Sequence, residues 1–279
     1  MTDKVTLGDG CTIAYRFDGA AHAPVLVLGN SLGTDLGMWA PQIDAFAQTY
    51  RVLRYDTRGH GRSQASAGAY GIDRLGRDVV ELTASLGIDR FHFCGLSLGG
   101  MVGQWLGIRE SDRLDRLVLA NTSGYMGPPS AWDARIAAVL AEGMAPLAEA
   151  SIARWFTPGF AMRHPDTIEP IVKMLRSTDP TGYAGCCAAI RDMDMRRSAA
   201  LIGVPTLVIG GSVDPATPPD HAQALASAIP GATLEMLNAA HLSNVERPDQ
   251  FASLVLDFFA RSSPRSPVAG EGAKSAYDR

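Results

Sequence analysis

Ser97 has the clearest chemical context in the chain, at the centre of Gly95-Leu96-Ser97-Leu98-Gly99-Gly100. An apolar, aromatic run of strand character leads into Gly95, and a helix-compatible run starts near Gly99. That strand-turn-helix setting presents a serine hydroxyl as a nucleophile. Side chains two residues before and after so sharp a turn collide, which gives Gly95 and Gly99 a steric reason to be glycine. The turn lifts the hydroxyl clear of the sheet and aims the unpaired N–H groups of a helix start at the same point, where they can meet a developing negative charge. The chemistry this suits is acyl transfer. Because Gly-x-Ser-x-Gly also occurs as a plain loop, the reading depends on partners elsewhere in the chain.

A serine hydroxyl is a poor nucleophile near neutral pH and needs a base, which in turn needs an acceptor to orient it and balance its charge. Those groups belong on loops after the carboxyl ends of strands. Of the six histidines, His92 falls in a strand, His221 in a helix, His164 in a helical insertion and His22 beside a surface turn. His60 follows a strand, but Asp56-Thr57-Arg58-Gly59-His60-Gly61 reads as a tight structural turn. His241 directly follows the last strand, after the small residues Ala239 and Ala240, and is the expected base. The same filter selects Asp214, in Gly211-Ser212-Val213-Asp214-Pro215, as the carboxylate. The matching position after the strand at 116–120 holds Asn121 and Thr122, which cannot supply a charge. Of the two N–H donors an oxyanion hole needs, Leu98 would give the first, and the loop Gly29-Asn30-Ser31-Leu32-Gly33 the second.

The elements that must hold these residues alternate. Residues 5–17 read as a hairpin around Gly8-Asp9-Gly10. Continuous apolar or β-branched runs at 24–28 and 51–55 flank a helix with Trp39, Ile43 and Phe46 on one face. Ile72, Leu75, Val79, Leu82 and Leu86 step by three and four before Gly87, which marks a helix and its stop. Further strands are expected at 116–120, 205–210 and 233–237, with a helix around 221–229 and a last one starting at Pro248. Repeated β-α alternation implies a mostly parallel sheet with helices on both faces. From about 127 to 198 there is no strand pattern, only short helical pieces broken at Pro128-Pro129, Pro158, Pro165 and Pro180. This gives a core of residues 1–126 and 199–261, a helical cap insertion at 127–198 over the ligand end of the sheet, and a tail at 262–279 without periodicity, expected to be a disordered tail or linker.

Length and composition bound the partners. The 279 residues are 46% hydrophobic, enough for a large buried core. Twenty-five basic against 29 acidic residues give a formal charge of -4 with no basic run, so neither nucleic acid nor an anionic membrane is an expected partner. No apolar string is long enough to span a bilayer, and residues 1–17 lack the pattern of a signal peptide, so a cytoplasmic location is expected. Cys11, Cys94, Cys186 and Cys187 show no metal-ligand spacing, and neither metal nor cofactor is expected.

The order Ser97, Asp214, His241 is that of the α/β-hydrolase triad, and residues 1 to about 261 resemble that superfamily. With Asn30-Ser31 standing where many relatives have His-Gly, the resemblance makes Leu32 the second oxyanion donor, with Ser31 as the alternative. Within the superfamily the chain resembles the 3-oxoadipate enol-lactonases of aromatic catabolism. The resemblance lies in Gly29-Asn30-Ser31-Leu32-Gly33, the elbow through Met101, Asn121-Thr122-Ser123, Trp132-x-x-Arg135-Ile136, Ala189-Ile190-Arg191-Asp192-Met193-Asp194 and Gly211-x-x-Asp214-x-x-Thr217-Pro218-Pro219. It implies a small-molecule lactone that carries a carboxylate and hence a cation in the cap. Candidates are Arg135, Arg154, Arg163, Lys173, Arg176 and Arg191. Arg135 is the first choice because it shares a helix face with Trp132, Arg191 is second, and Trp155 is a further pocket wall. Ala273 to Arg279 resemble the opening of carboxymuconolactone decarboxylase domains, to which some such lactonases are fused.

Two readings compete. Another capped carboxylesterase or a carbon-carbon bond hydrolase would share the triad but need an uncharged pocket or a different acid partner. A slow-turnover ligand-binding protein of the same fold would keep the triad without using it.

Overall fold

The computed structural model describes residues 2–261; the expectations for 262–279 lie outside them. Strands β1 (Asp3–Thr6) and β2 (Thr12–Asp18) form an antiparallel hairpin, and β2 pairs antiparallel with β4 (Arg51–Tyr55). From there every pairing is parallel. β4 lies beside β3 (Val25–Gly29), followed across the sheet by β5 (Phe91–Leu96), β6 (Leu114–Ala120), β7 (Thr206–Gly211) and β8 (Thr233–Leu237), for the order β1-β2-β4-β3-β5-β6-β7-β8. The central strands carry apolar side chains on both faces along most of their length, because helices cover both faces of a parallel sheet. Leu26, Val27 and Leu28 of β3, Phe93 and Cys94 of β5 and Leu117 to Ala120 of β6 are fully buried.

Helices α1 (Ala40–Phe46), α2 (Ile72–Ser85), α3 (Leu98–Arg109), α9 (Pro219–Ala228) and α11 (Pro248–Ala260) flank the sheet, and the short α10 (Ser243–Glu246) follows β8. Between β6 and β7 run α4 (Pro129–Glu142), α5 (Ala145–Trp155), α6 (Pro158–Arg163), α7 (Pro165–Ser177) and α8 (Pro180–Asp192), each with proline in its first turn, where a missing N–H costs no hydrogen bond. An isolated antiparallel bridge between Tyr125 and Asp194 joins the chain as it leaves β6 to the chain as it comes back. This is the mostly parallel α/β-hydrolase architecture that the resemblance implies. No helix among the described residues is long and apolar enough to cross a membrane.

Candidate active site

The turn from β5 to α3 sets Ser97 at φ 59°, ψ -115°, a conformation that costs energy for any residue with a Cβ and persists where the surroundings fix it. Those surroundings are tight. A Cβ on Gly95 would collide with the Gly99 carbonyl, and one on Gly99 would collide with the Gly29 carbonyl of β3. The glycine after the serine is therefore required by the neighbouring strand as much as by the turn. The Ser97 N–H donates to the Ala120 carbonyl at 2.9 Å, and its own carbonyl accepts the Thr122 hydroxyl at 2.8 Å, so the end of β6 holds the elbow in place.

His241 and Asp214, 27 residues apart in sequence, meet at the ends of β8 and β7. His241 Nε2 lies 2.9 Å from Ser97 Oγ, and His241 Nδ1 lies 2.9 Å from Asp214 Oδ2. All three side chains are nearly fully buried. Burial pushes the Asp214 carboxyl up, but the His241 imidazole, its hydrogen bond and those from Thr217 outweigh it and hold the acid down at about 2. An ionised Asp214 accepts the Nδ1 proton, which leaves Nε2 free to take the proton of the Ser97 hydroxyl. Asp214 Oδ1 also accepts the N–H groups of Ala216 and Thr217 at 2.8 and 3.0 Å, and the Thr217 hydroxyl donates to Oδ2 at 2.7 Å. The Asp214-x-x-Thr217 spacing makes this a self-capping turn, a signal present in the sequence but not used there.

The loop after β3 is pinned at every position but one. Asn30 accepts the Trp39 indole N–H and donates to the Tyr55 carbonyl. The Ser31 N–H points at the Met38 sulfur at 3.2 Å and the Gly33 N–H at His60 Nε2 at 3.0 Å. Among the described residues the Leu32 N–H between them takes no protein partner. Leu98 is the first residue of α3, so its N–H has no carbonyl within the helix. His60, expected to be purely a turn residue, holds this loop: burial keeps its imidazole neutral, with a pKa lowered to about 4, so Nε2 stays an acceptor.

Over Ser97 lies a cavity of about 190 Å³. Ser97, His241 and Leu32 form its floor, while Trp132 and Arg135 of α4 and Arg154 and Trp155 of α5 come down from above. Arg135 rests on the Trp132 ring, 4.9 Å from its centroid, and the indole N–H of Trp132 donates to the Met126 carbonyl. Neither Arg135 nor Arg154 forms an ion pair among the described residues, and no Asp or Glu lines the cavity. Burial, then the charge of Arg135, lower the pKa of Arg154. Tyr183 of α8 completes the wall, its hydroxyl kept neutral by burial despite both arginines.

Arg191 corrects the sequence expectation. It sits on α8 with its guanidinium tied to Asp192 at 2.7 Å and Asp133 at 2.8 Å, and it does not line the cavity. Its neighbourhood in sequence is carboxylate-rich, and those carboxylates satisfy its charge at the surface. The second cation is instead Arg154, which sequence spacing alone could not rank above the other cap cations. Asn121 and Thr122, set aside as unable to carry charge, both contact the relay through hydrogen bonds.

Residues 24–248 match the family model for the alpha/beta hydrolase fold. The chain is 43% identical over 249 residues to 3-oxoadipate enol-lactonase 2 of Acinetobacter baylyi, spanning 89% of this chain and 93% of that protein. The enol-lactonase from Burkholderia xenovorans LB400 has a crystal structure that superposes with a TM-score of 0.91 at 45% identity, covering 93% of this chain and all of that one. A hydrolase from Pseudomonas aeruginosa PA01 superposes equally well at 48% identity, over 93% of this chain and 98% of that one. A serine, histidine and aspartate within hydrogen-bond reach at three strand ends, on this sheet and among these relatives, identify the chain as a member of the α/β-hydrolase family.

Proposed function

We propose that the protein opens 3-oxoadipate enol-lactone to 3-oxoadipate through an acyl-enzyme on Ser97, as a step of aromatic catabolism by the β-ketoadipate pathway. Ser97 Oγ attacks the lactone carbonyl while His241 Nε2 takes its proton, and Asp214 stabilises the imidazolium. The Leu32 and Leu98 N–H groups receive the oxyanion. Collapse of the tetrahedral intermediate breaks the ring C–O bond and expels an enol, which takes the proton from His241 and becomes a ketone. Water then gives a proton to His241 and its hydroxide to the acyl carbon, releasing the new carboxylate and restoring the Ser97 hydroxyl.

The observation that carries this reading is the pair of unpaired arginines, Arg135 and Arg154, in a cavity over Ser97 that no carboxylate lines. Two like charges facing one small cavity are suited to an anion, and a neutral ester would leave both without a counter-charge. The deciding experiment is a spectrophotometric assay on 3-oxoadipate enol-lactone beside a neutral ester of similar size, with Ser97→Ala as control. The lactone should be turned over with the higher kcat/KM, and Ser97→Ala should lose about 10⁴-fold or more. Equal or better activity on the neutral ester would sink the lactonase assignment and favour a capped carboxylesterase.

A further inference from the structure

Asn121 directly follows β6 in a left-handed backbone conformation, φ 43°, one that asparagine enters more readily than most side-chain-bearing residues. Its backbone N–H donates to the Ile209 carbonyl of β7 at 2.8 Å, and its side chain is completely buried. Nδ2 donates to Asp214 Oδ2 at 3.0 Å and to the Ala240 carbonyl at 3.2 Å, while Oδ1 accepts the Ser243 hydroxyl at 2.5 Å. A carboxylate and a carbonyl can only accept, so the amide can be oriented only one way round. One planar group thus touches the acid, the residue just before the base and the residue two after it.

The other donors to Asp214 come from its own turn, Ala216 and Thr217, or from His241, the residue it serves. Among the described residues, Asn121 alone donates to this carboxylate from elsewhere in the fold. Space for the amide is reserved: a Cβ on Gly211 would lie 3.0 Å from Asn121 Nδ2 and 2.6 and 2.7 Å from the Ala239 and Ala240 carbonyl oxygens.

We propose that Asn121 is a positioning residue of the hydrolytic relay, its amide locking the Asp214 turn and the His241 loop into one register so that Asp214 stays an acceptor aimed at His241 Nδ1. The proposal rests on the Ser97–His241–Asp214 reading but not on the lactone as substrate. A neutral donor is required there. A carboxylate in its place would face Asp214 Oδ2 across the same short gap, repel it, and stabilise the imidazolium through added negative charge. The other charged or titratable groups around the imidazole are Asp214, Glu246 of α10, which accepts the Ala240 N–H at 3.1 Å, and Arg135, Arg154 and Tyr183 across the cavity. None of them changes in the variants below.

The test reads Ser97 directly, by the rate of fluorophosphonate labelling across pH, together with kcat and KM on whichever ester the enzyme turns over best. Asn121→Ala should lower kcat and the labelling rate about 10- to 100-fold with KM nearly unchanged, the size expected for loss of a hydrogen bond to a buried charge. Asn121→Asp should move the pH at which labelling sets in upward, a change that a merely space-filling residue would not produce. Ser243→Ala, which removes only the hydroxyl that fixes the amide, should lower kcat by a smaller factor without moving that pH. If the Asn121 variants do not fold, Ser243→Ala and its kcat against KM still decide. Wild-type labelling rates with an unmoved pH limb in folded Asn121 variants, or wild-type kcat in Ser243→Ala, overturn the proposal. Failure on the lactone with normal labelling of Ser97 would count against the substrate assignment instead.

Discussion

Two guanidinium groups that share a cavity repel each other until an anion enters between them. Burial and the charge of Arg135 both lower the pKa of Arg154, which marks it as a cation held at a cost in the free protein. Replacing Arg154 by Met keeps the stem and removes the charge. The variant should therefore melt at a higher temperature than the wild type while its KM for the anionic lactone rises about 10- to 100-fold, the range of a hydrogen bond to a charged group. KM for a neutral ester should stay the same. A lower melting temperature together with an unchanged lactone KM would retire Arg154 from the site. Arg135→Ala should raise KM for the lactone in the same way, but Arg135 also packs on Trp132, so its loss should destabilise rather than stabilise. At this scale the sequence was legible wherever chemistry and local context coincide, as at Ser97, His241 and Asp214. Choosing Arg154 over Arg191 was beyond it. Both sit on helices, and which of them faces the cavity is decided by packing between α4, α5 and α8, not by spacing within one helix.

The elbow depends on how closely elements approach. α3 starts against β3 and β5 because Gly29, Gly95 and Gly99 present bare backbone to one another, and the Gly99 N–H donates to the Asn30 carbonyl at 2.9 Å. That bond joins the nucleophile's helix to the loop that carries Leu32. Gly99→Ala would push its new methyl into the Gly29 carbonyl and separate the Leu98 and Leu32 N–H groups proposed above as the oxyanion hole. The expected outcome is a folded protein of lowered melting temperature whose kcat falls far more than its KM rises, because the oxyanion donors act mainly in the transition state. A wild-type kcat in Gly99→Ala would show that the close approach is not needed. Strand positions were readable at this scale to within about two residues, since buried parallel strands are continuous apolar runs. The long-range bonds were not readable. Asn121 reaches Asp214 across 93 residues of chain, and nothing in the local pattern of Asn121-Thr122-Ser123 announces that partner. That position supplies a neutral amide donor to the carboxylate after β7 instead of a charge of its own.

Across the whole molecule, buried ionisable groups make stability depend on pH in opposing ways. His60 has a folded pKa of about 4 against 6.5 in its ordinary range, so between those values the unfolded chain binds a proton that the folded chain refuses. Its contribution is complete above pH 6.5 and is lost as pH falls toward 4. Asp56, buried and without a cation partner close enough to offset burial, is raised to about 6 even though the Leu36 and Arg62 N–H groups donate to it at 2.7 and 2.8 Å. The folded chain keeps that proton where the unfolded chain gives it up, so Asp56 costs stability as pH rises from about 4 to 6. The two effects are similar in size and opposite in sign, so these two groups together change stability little over that window. Below it stability should drop as Asp214, held at about 2, takes up a proton the folded state resists. His60→Asn separates the terms. At pH 7 it should destabilise, because the Gly33 N–H loses its acceptor and the loop that carries Leu32 its tether. On lowering the pH to 5 the gap to wild type should shrink by about 2 kcal/mol, since only the wild type still resists protonation there. Denaturant unfolding of both proteins at the two pH values measures that gap. A gap that stays constant would mean that His60 is not held neutral, and the Gly33 N–H would then need a different acceptor to keep Leu32 in place.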